Sequence, residues 1–70
     1  IMWIKEFGNL LKERRKSLGI NQSDLAEIAG ISINTLYKIE RGQTNATLEV
    51  LEKILDVLGL ELKLEIKKVG

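Results

Sequence analysis

The sequence contains neither cysteine nor histidine. It can therefore form no disulfide and no thiolate metal site, and it lacks the commonest general base and metal ligand. It also shows no glycine-rich phosphate loop, no apolar run of membrane-spanning length and no signal-peptide pattern. We expect a cytoplasmic protein that is not an enzyme and that uses no metal, cofactor, small-molecule ligand or membrane.

The chain has 70 residues, which suffice for one domain with a small core. Such a core is marginally stable alone, so association between copies is expected. The formal net charge is only +1, but the charges are unevenly distributed. Residues 1–45 hold seven basic and five acidic residues, whereas residues 46–70 hold four basic and five acidic ones.

Apolar spacing and capping residues predict four helices. The first covers about residues 4–18, and the others begin after the cap residues Asn21, Ser32 and Thr47. A glycine ends each helix, at positions 19, 30, 42 and 59. The residues predicted to face the core are Ile4, Phe7, Leu10, Leu11 and Leu18 in the first helix and Leu48, Leu51, Ile54, Leu55 and Leu58 in the fourth.

Residues 22–42 have the spacing of two short helices joined by a tight turn. Ala26 is small enough for the helices to cross closely, and Gly30 can adopt the left-handed conformation that the turn requires. Leu36 and Ile39 lie three residues apart on one face of the second helix and are expected in the core. This pattern predicts a helix-turn-helix, which in a small domain usually binds DNA.

A basic cluster, Lys12-Glu-Arg14-Arg15-Lys16, lies at the end of the first predicted helix. Such a cluster can be a solvated helix end that complements the helix dipole. Beside a helix-turn-helix, we favour a surface that faces phosphates, and we assign Arg14 to it.

The tail alternates apolar and charged residues from Leu60 to Lys67, which indicates a half-buried strand. A lone strand needs a partner for its backbone hydrogen bonds. The simplest partner is the same strand of a second copy, antiparallel across a two-fold axis. A helix extension or an unpaired edge is the alternative.

Charge pairing selects the register of that predicted ribbon. A pair centred near Leu64 sets Glu61 opposite Lys67 and Lys63 opposite Glu65. Centring it one residue earlier opposes like charges, and centring it two residues earlier leaves two charges without partners. We expect the apolar face of the ribbon to cover the fourth helices of a homodimer, with the dimer-strand residues Leu60, Leu62, Leu64 and Ile66.

Residues 21–42 resemble the Cro/C1-type (Xre-like) helix-turn-helix family. The matching positions are Gln22, Leu25, Ala26, Gly30, Ile31, Ser32, Leu36, Ile39, Glu40 and Gly42. The resemblance extends over about residues 5–59 and implies a mainly α, lambda-repressor-like bundle of four to five helices. Many family members have a proline where this sequence has Ala46, a change expected to loosen that loop without affecting the fold. The tail is similar to that of HipB-type antitoxins, whose C-terminal strands pair across the dimer.

The resemblance implies that the third helix enters the major groove of double-stranded DNA. The residues expected to contact bases are Ser32, Ile33, Asn34, Thr35 and Lys38. The residues expected to contact phosphates are Gln22, Arg41, Gln43, Thr44 and Asn45, with Arg14 from the basic cluster. The family pattern also pairs Arg15 with Glu40, which gives these two residues a structural role. Tyr37 is expected along the DNA backbone or beside the fourth helix, and Trp3 in the core or at a dimer edge.

These features predict a DNA-binding domain at residues 1–59 and a dimerisation strand at residues 60–70. The most specific expectation is a homodimeric transcriptional repressor that binds an inverted-repeat operator. Two alternatives stay open: an antitoxin that represses its own operon and binds a kinase-type toxin protein, and a protein-interaction module that does not bind DNA. The interaction module would be favoured if Arg14, Lys16, Lys38 and Arg41 did not converge on one face with Gln22.

Overall fold

The computed structural model describes residues 2–67 of the chain. It contains four α-helices: α1 (Met2–Ser17), α2 (Gln22–Ala29), α3 (Ile33–Glu40) and α4 (Leu48–Leu58). The four predicted helices are thus confirmed, and a fifth helix is absent from the described residues. None of these helices is long and apolar enough to cross a membrane.

Side-chain caps fix the start of the last three helices. The side-chain oxygen of Asn21 accepts a hydrogen bond from the backbone N–H of Asp24 at 2.7 Å, and Ser32 accepts one from Thr35 at 3.1 Å. Thr47 caps α4 in the same way. Each cap satisfies a backbone N–H that has no partner inside its own helix. The three predicted caps are confirmed, so the helix-turn-helix begins and turns where its local sequence specifies.

The core lies where all four helices meet. Its buried apolar residues are Leu11, Leu25, Ala26, Ala29, Leu36, Ile39, Ile54, Leu55 and Leu58. The predicted inward positions of the helix-turn-helix are therefore confirmed, because Ala26, Leu36 and Ile39 are among them. This packing holds α3 as an outer helix on a rigid scaffold.

Three predicted core residues are exposed instead. Leu10 is 67% exposed because Leu11, its neighbour about 100° around the helix, occupies the core position. Leu48 is 72% exposed because it is the first residue of α4 and lies before the turn that packs. Leu18 follows the end of α1 and is 43% exposed. Trp3 is also mostly exposed, so it is not a core residue.

The helix α1 crosses the C-terminal end of α3 at backbone distance. A Cβ atom added at Gly8 would collide with the carbonyl oxygen of Ile39 and lie 2.8 Å from that of Glu40. A Cβ atom added at Gly42 would lie 2.7 Å from the Cα atom of Lys5. These two glycines therefore allow α1 to fix the position of α3.

The tail leaves the helical body after α4. Leu60 is partly buried, and its N–H donates to the carbonyl of Leu55 at 2.9 Å. Residues 61–67 are exposed and irregular, and no strand is formed within residues 2–67. An isolated strand lacks a partner for its backbone hydrogen bonds, so strand pairing across a dimer stays a prediction. The last three residues of the predicted dimerisation segment lie outside the described part of the chain.

Candidate nucleic-acid interface

The outer face of α3 presents the residues that were expected to contact bases. Ile33, Asn34 and Lys38 are exposed there, and Asn34 and Lys38 lie four residues apart on one face. The side chains of Ser32 and Thr35 are already engaged with each other, because their hydroxyl oxygens are 2.8 Å apart. Asn34 and Lys38 are therefore the polar side chains of this group with the greatest freedom to bind a ligand.

Arg41 lies at the C-terminal cap of α3 and stacks on Tyr37. Its guanidinium carbon is 5.2 Å from the centroid of the Tyr37 ring, which is the geometry of a cation–π contact. Tyr37 is thus a support for Arg41, a role that the sequence did not predict. The contact holds a positive charge at the outer surface, one helical turn beyond Lys38.

A buried network joins α1, α2 and α3. The Arg15 guanidinium donates from Nε to Glu40 Oε2 at 2.7 Å and from Nη2 to Glu40 Oε1 at 3.1 Å. A third hydrogen bond from Arg15 reaches the carbonyl of Ile20. Since Arg15 is only 8% exposed and Glu40 4%, this bidentate pair is shielded from solvent. The structure therefore places the predicted ion pair where it can fix the end of α3.

Gln22 belongs to the same network. Its side-chain Nε2 donates to Glu40 Oε1 at 3.0 Å. An amide nitrogen has two N–H groups, so one remains available for an external acceptor. The internal hydrogen bond orients Gln22 at the N-terminus of α2, next to the network that holds α3.

Arg14 makes a hydrogen bond that its place in the basic cluster did not predict. Its Nε donates to the carbonyl of Leu58 at 2.9 Å, at the C-terminal end of α4. The last carbonyls of a helix have no partner inside it and carry partial negative charge, so they attract a guanidinium. Arg14 is thus tied to the end of α4, whereas Gln22 is hydrogen-bonded to Glu40 at the end of α3. A contact of Arg14 with phosphates stays a prediction.

The loop after α3 continues its outer surface. Gln43 and Asn45 are exposed and Thr44 is partly buried. The backbone N–H of Gln43 donates to the carbonyl of Lys38 at 2.9 Å, which ties the loop to α3. The three loop residues expected to contact phosphates are thus brought next to Arg41.

Sequence reasoning missed the contribution of α1 to this surface. An open groove of about 670 Å³ lies between α1 and the C-terminal end of α3. Its lining residues are Lys5, Glu6, Asn9, Lys12, Glu40, Arg41 and Gln43. The polar residues of α1 recur every three to four positions, so the sequence did contain a one-sided stripe. Which helix that stripe faces depends on packing and cannot be read from its spacing.

The comparisons with known proteins agree with this geometry. The helix-turn-helix family model HTH_3 matches residues 11–64. An HTH-type transcriptional regulatory protein of Saccharolobus islandicus is 34% identical over 58 residues, which cover 83% of this chain and 19% of that protein. A similarly described protein of Methanocaldococcus jannaschii is 38% identical over 60 residues, which cover 86% and 19%. The chain thus spans about a fifth of the length of these curated relatives.

A solved structure supports the fold. The restriction-modification controller protein C.AhdI from Aeromonas hydrophila has a TM-score of 0.83 and 31% sequence identity, over 87% of this chain and 92% of that one. These relatives are regulators, in agreement with the expectation that the chain is not an enzyme. Because the family model matches well over half of the chain, the protein belongs to the Cro/C1-type helix-turn-helix family of transcriptional regulators.

Proposed function

We propose that this chain is the DNA-binding unit of a sequence-specific transcriptional repressor that acts as a homodimer. The observation that supports this proposal best is the presentation of α3. Its C-terminal end is anchored by the buried Arg15–Glu40 pair and is crossed closely by α1, while its N-terminal residues stay exposed. A rigidly held helix with a polar outer face suits insertion into the major groove.

Within this proposal, Asn34 and Lys38 provide the main base contacts. An asparagine amide can form two hydrogen bonds with adenine, and a lysine can donate to O6 and N7 of guanine. Ile33, which is half exposed, is suited to contact a thymine methyl group. Ser32 and Thr35 contact bases only if their mutual hydrogen bond is exchanged, so we assign them a smaller contribution.

Phosphate contacts come from both ends of the helix-turn-helix. Gln22 offers its free amide N–H at the N-terminus of α2, where the helix dipole also favours an anion. Arg41 and the loop residues Gln43, Thr44 and Asn45 follow at the other end. Only Arg41 of this second group is charged, so we expect modest affinity with a moderate dependence on salt.

The homodimer is proposed to form through residues 60–70, with residues 1–59 as the DNA-binding domain. Leu64 and Ile66 are fully exposed in the single chain, and Leu62 is half exposed. Leu62 and the exposed Leu10 also line one apolar groove of about 550 Å³ between α1, α4 and the tail. A second copy would cover this surface, and two-fold symmetry would place two α3 helices about 34 Å apart, one turn of DNA.

Selection of bound DNA from a random pool, with sedimentation in the same buffer, tests the proposal. We expect enrichment of an inverted repeat by a dimer, with half-sites about one turn apart. A folded dimer that enriches no sequence would contradict DNA recognition and indicate the protein-interaction module instead. Among narrower roles, the similarity to C.AhdI, a restriction-modification controller protein, favours a controller of a restriction-modification system. An antitoxin role, with a toxin partner, has only the resemblance of the tail in its support.

Replacing Asn34 with alanine is expected to relax base preference at one position of each half-site. The loss of binding free energy should be about 1–3 kcal/mol on the preferred sequence and near zero on unrelated duplexes, since a base contact adds specificity. Binding to a panel of single-position operator variants measures both. Gln43→Ala is the control, because loss of a phosphate contact should weaken all duplexes alike. An equal loss on all sequences for Asn34→Ala would remove Asn34 from base readout.

Replacing Leu64 with aspartate is expected to convert the dimer into a monomer. The change places a charge on the apolar face of the predicted ribbon and opposes it to its own symmetry mate. Sedimentation gives the mass of the particle. Operator binding should weaken because the two DNA-binding domains are no longer joined. Lys63→Gln changes the opposite face of the same segment and removes only an exposed charge pair, so it should weaken the dimer far less than Leu64→Asp. A dimer that persists in Leu64→Asp at the same concentration would exclude pairing of the tails.

A further inference from the structure

The groove between α1 and the end of α3 has a net positive lining, and we call it the α1–α3 groove. Lys5 and Lys12 come from α1, and Arg41 comes from the cap of α3. Glu40 also lines the groove, but both of its carboxylate oxygens accept hydrogen bonds from Arg15 or Gln22. Glu6 is the other acidic residue of the lining. Three cations therefore outweigh the one carboxylate that is not compensated by this network.

The groove is continuous with the surface proposed to follow the DNA backbone. Arg41 and Gln43 belong to both surfaces. The backbone of Lys5 packs against Gly42, and Gly8 packs against the last carbonyls of α3. These contacts fix the backbone of α1 that carries the lysines relative to α3. A DNA strand that runs past Arg41 and Gln43 would therefore pass next onto α1.

The spacing of the two lysines suits an extended anion. Lys5 and Lys12 lie seven residues apart in α1, which corresponds to about 10 Å along the helix axis. Such a separation fits two phosphates of one backbone better than one compact anion held by both lysines. The groove is also open, and it has no aromatic residue in its lining on which a base could stack.

We propose that Lys5 and Lys12 bind backbone phosphates of duplex DNA beyond the bases contacted by α3, so that α1 extends each half-site contact. This inference rests on the proposed DNA-binding function and adds two phosphate-binding residues that the helix-turn-helix motif does not contain. Such contacts raise affinity for every duplex and increase its dependence on salt, without adding base specificity.

The double variant Lys5→Gln/Lys12→Gln tests this inference. Binding to the selected operator and to an unrelated duplex is measured over a series of salt concentrations. The plot of the logarithm of the binding constant against the logarithm of the salt concentration should become less steep by nearly two, because each phosphate neutralised contributes about 0.9 to the slope. Affinity at low salt should fall on the order of tenfold or more for both duplexes. Lys53→Gln on α4 is the matched control, since Lys53 contacts Glu49 on its own helix.

A variant of opposite sign provides an independent measurement. Glu6→Gln removes the carboxylate that the Arg15–Glu40 network does not compensate and should raise affinity for both duplexes. Uncharged methylphosphonate linkages in the DNA backbone flanking the half-site should weaken binding by the wild-type chain and leave binding by the double lysine variant unchanged.

The outcomes separate the two proposals. If the wild-type chain binds the operator and the lysine variant shows the same salt dependence, the role of the groove is overturned and the proposed function stays intact. A natural chain that binds no duplex would overturn both.

Discussion

Replacing Gly8 with alanine is expected to lower the free energy of unfolding by about 3 kcal/mol. In an exposed helix interior the same substitution would raise it by about 1 kcal/mol, because alanine has the higher helix propensity. The sign reverses here because the added methyl group meets backbone atoms of α3, which cannot move aside as a flexible side chain would. The helices α1 and α3 must separate to accept it.

Thermal unfolding followed by circular dichroism measures this loss. For a domain of this size, 1 kcal/mol corresponds to about 4–8 °C in the melting temperature, so a shift of at least 12 °C is expected. Gly19→Ala is the control, because a Cβ atom there meets nothing within 4 Å. Its cost should be limited to about 1–2 kcal/mol for a left-handed alanine. An alanine at position 8 that leaves the melting temperature unchanged would refute the tight crossing.

The Gly8 substitution should also affect DNA binding in the variant molecules that stay folded. The contacts at Gly8 involve Ile39 and Glu40, the last two residues of α3. A displacement there changes the angle at which α3 lies against the rest of the domain. A larger loss on the selected operator than on unrelated duplexes is therefore expected.

Removal of one partner of the buried ion pair is the second large effect. Glu40→Ala should lower the free energy of unfolding by about 3–5 kcal/mol, because Arg15 is left charged and shielded from solvent. Gln22 loses its acceptor in the same variant. Denaturant unfolding measures the change in the free energy of unfolding. Because the core of so small a domain supplies only about 3–5 kcal/mol, we expect a large unfolded fraction of Glu40→Ala at room temperature.

Two further variants show what causes this loss. Glu49→Ala breaks the exposed pair with Lys53 and should cost at most about 1 kcal/mol. The double replacement Arg15→Leu/Glu40→Leu removes both charges and should recover most of the stability, because no uncompensated charge remains. Its DNA binding should stay weak, since Gln22 still lacks the hydrogen bond that orients it. A double variant as unstable as Glu40→Ala would show that packing, and not the buried charge, dominates.

The helices and their limits were predictable because they depend on short-range interactions. A cap such as Ser32 and the residue that it satisfies lie three positions apart, and the glycine that ends a helix lies one or two positions after it. The core positions of the helix-turn-helix follow from spacing within one helix. The resemblance to a known family then added the pairing of Arg15 with Glu40, which no local pattern contains.

The neighbours of individual side chains were not predictable in the same way. Spacing placed Leu10 and Leu11 on the same side of α1, but only the position of α4 and α3 decided that Leu11 is buried. The basic cluster was visible in the sequence, yet Arg14 and Arg15 bind different helices, Arg14 the end of α4 at Leu58 and Arg15 the end of α3 at Glu40. Their partners are 44 and 25 residues away.

The sequence by itself determined four helices, three of them with N-terminal caps, a helix-turn-helix with a polar outer face, and an alternating tail suited to pair with another strand. The tertiary structure decided that Gln22 joins the buried ion pair, that Arg14 caps α4, and that the lysines of α1 share a groove with Arg41. Periodicity specifies which residues share a face of one helix. Which faces meet is set by the crossing of helices, and here that crossing is governed by the backbone contact at Gly8.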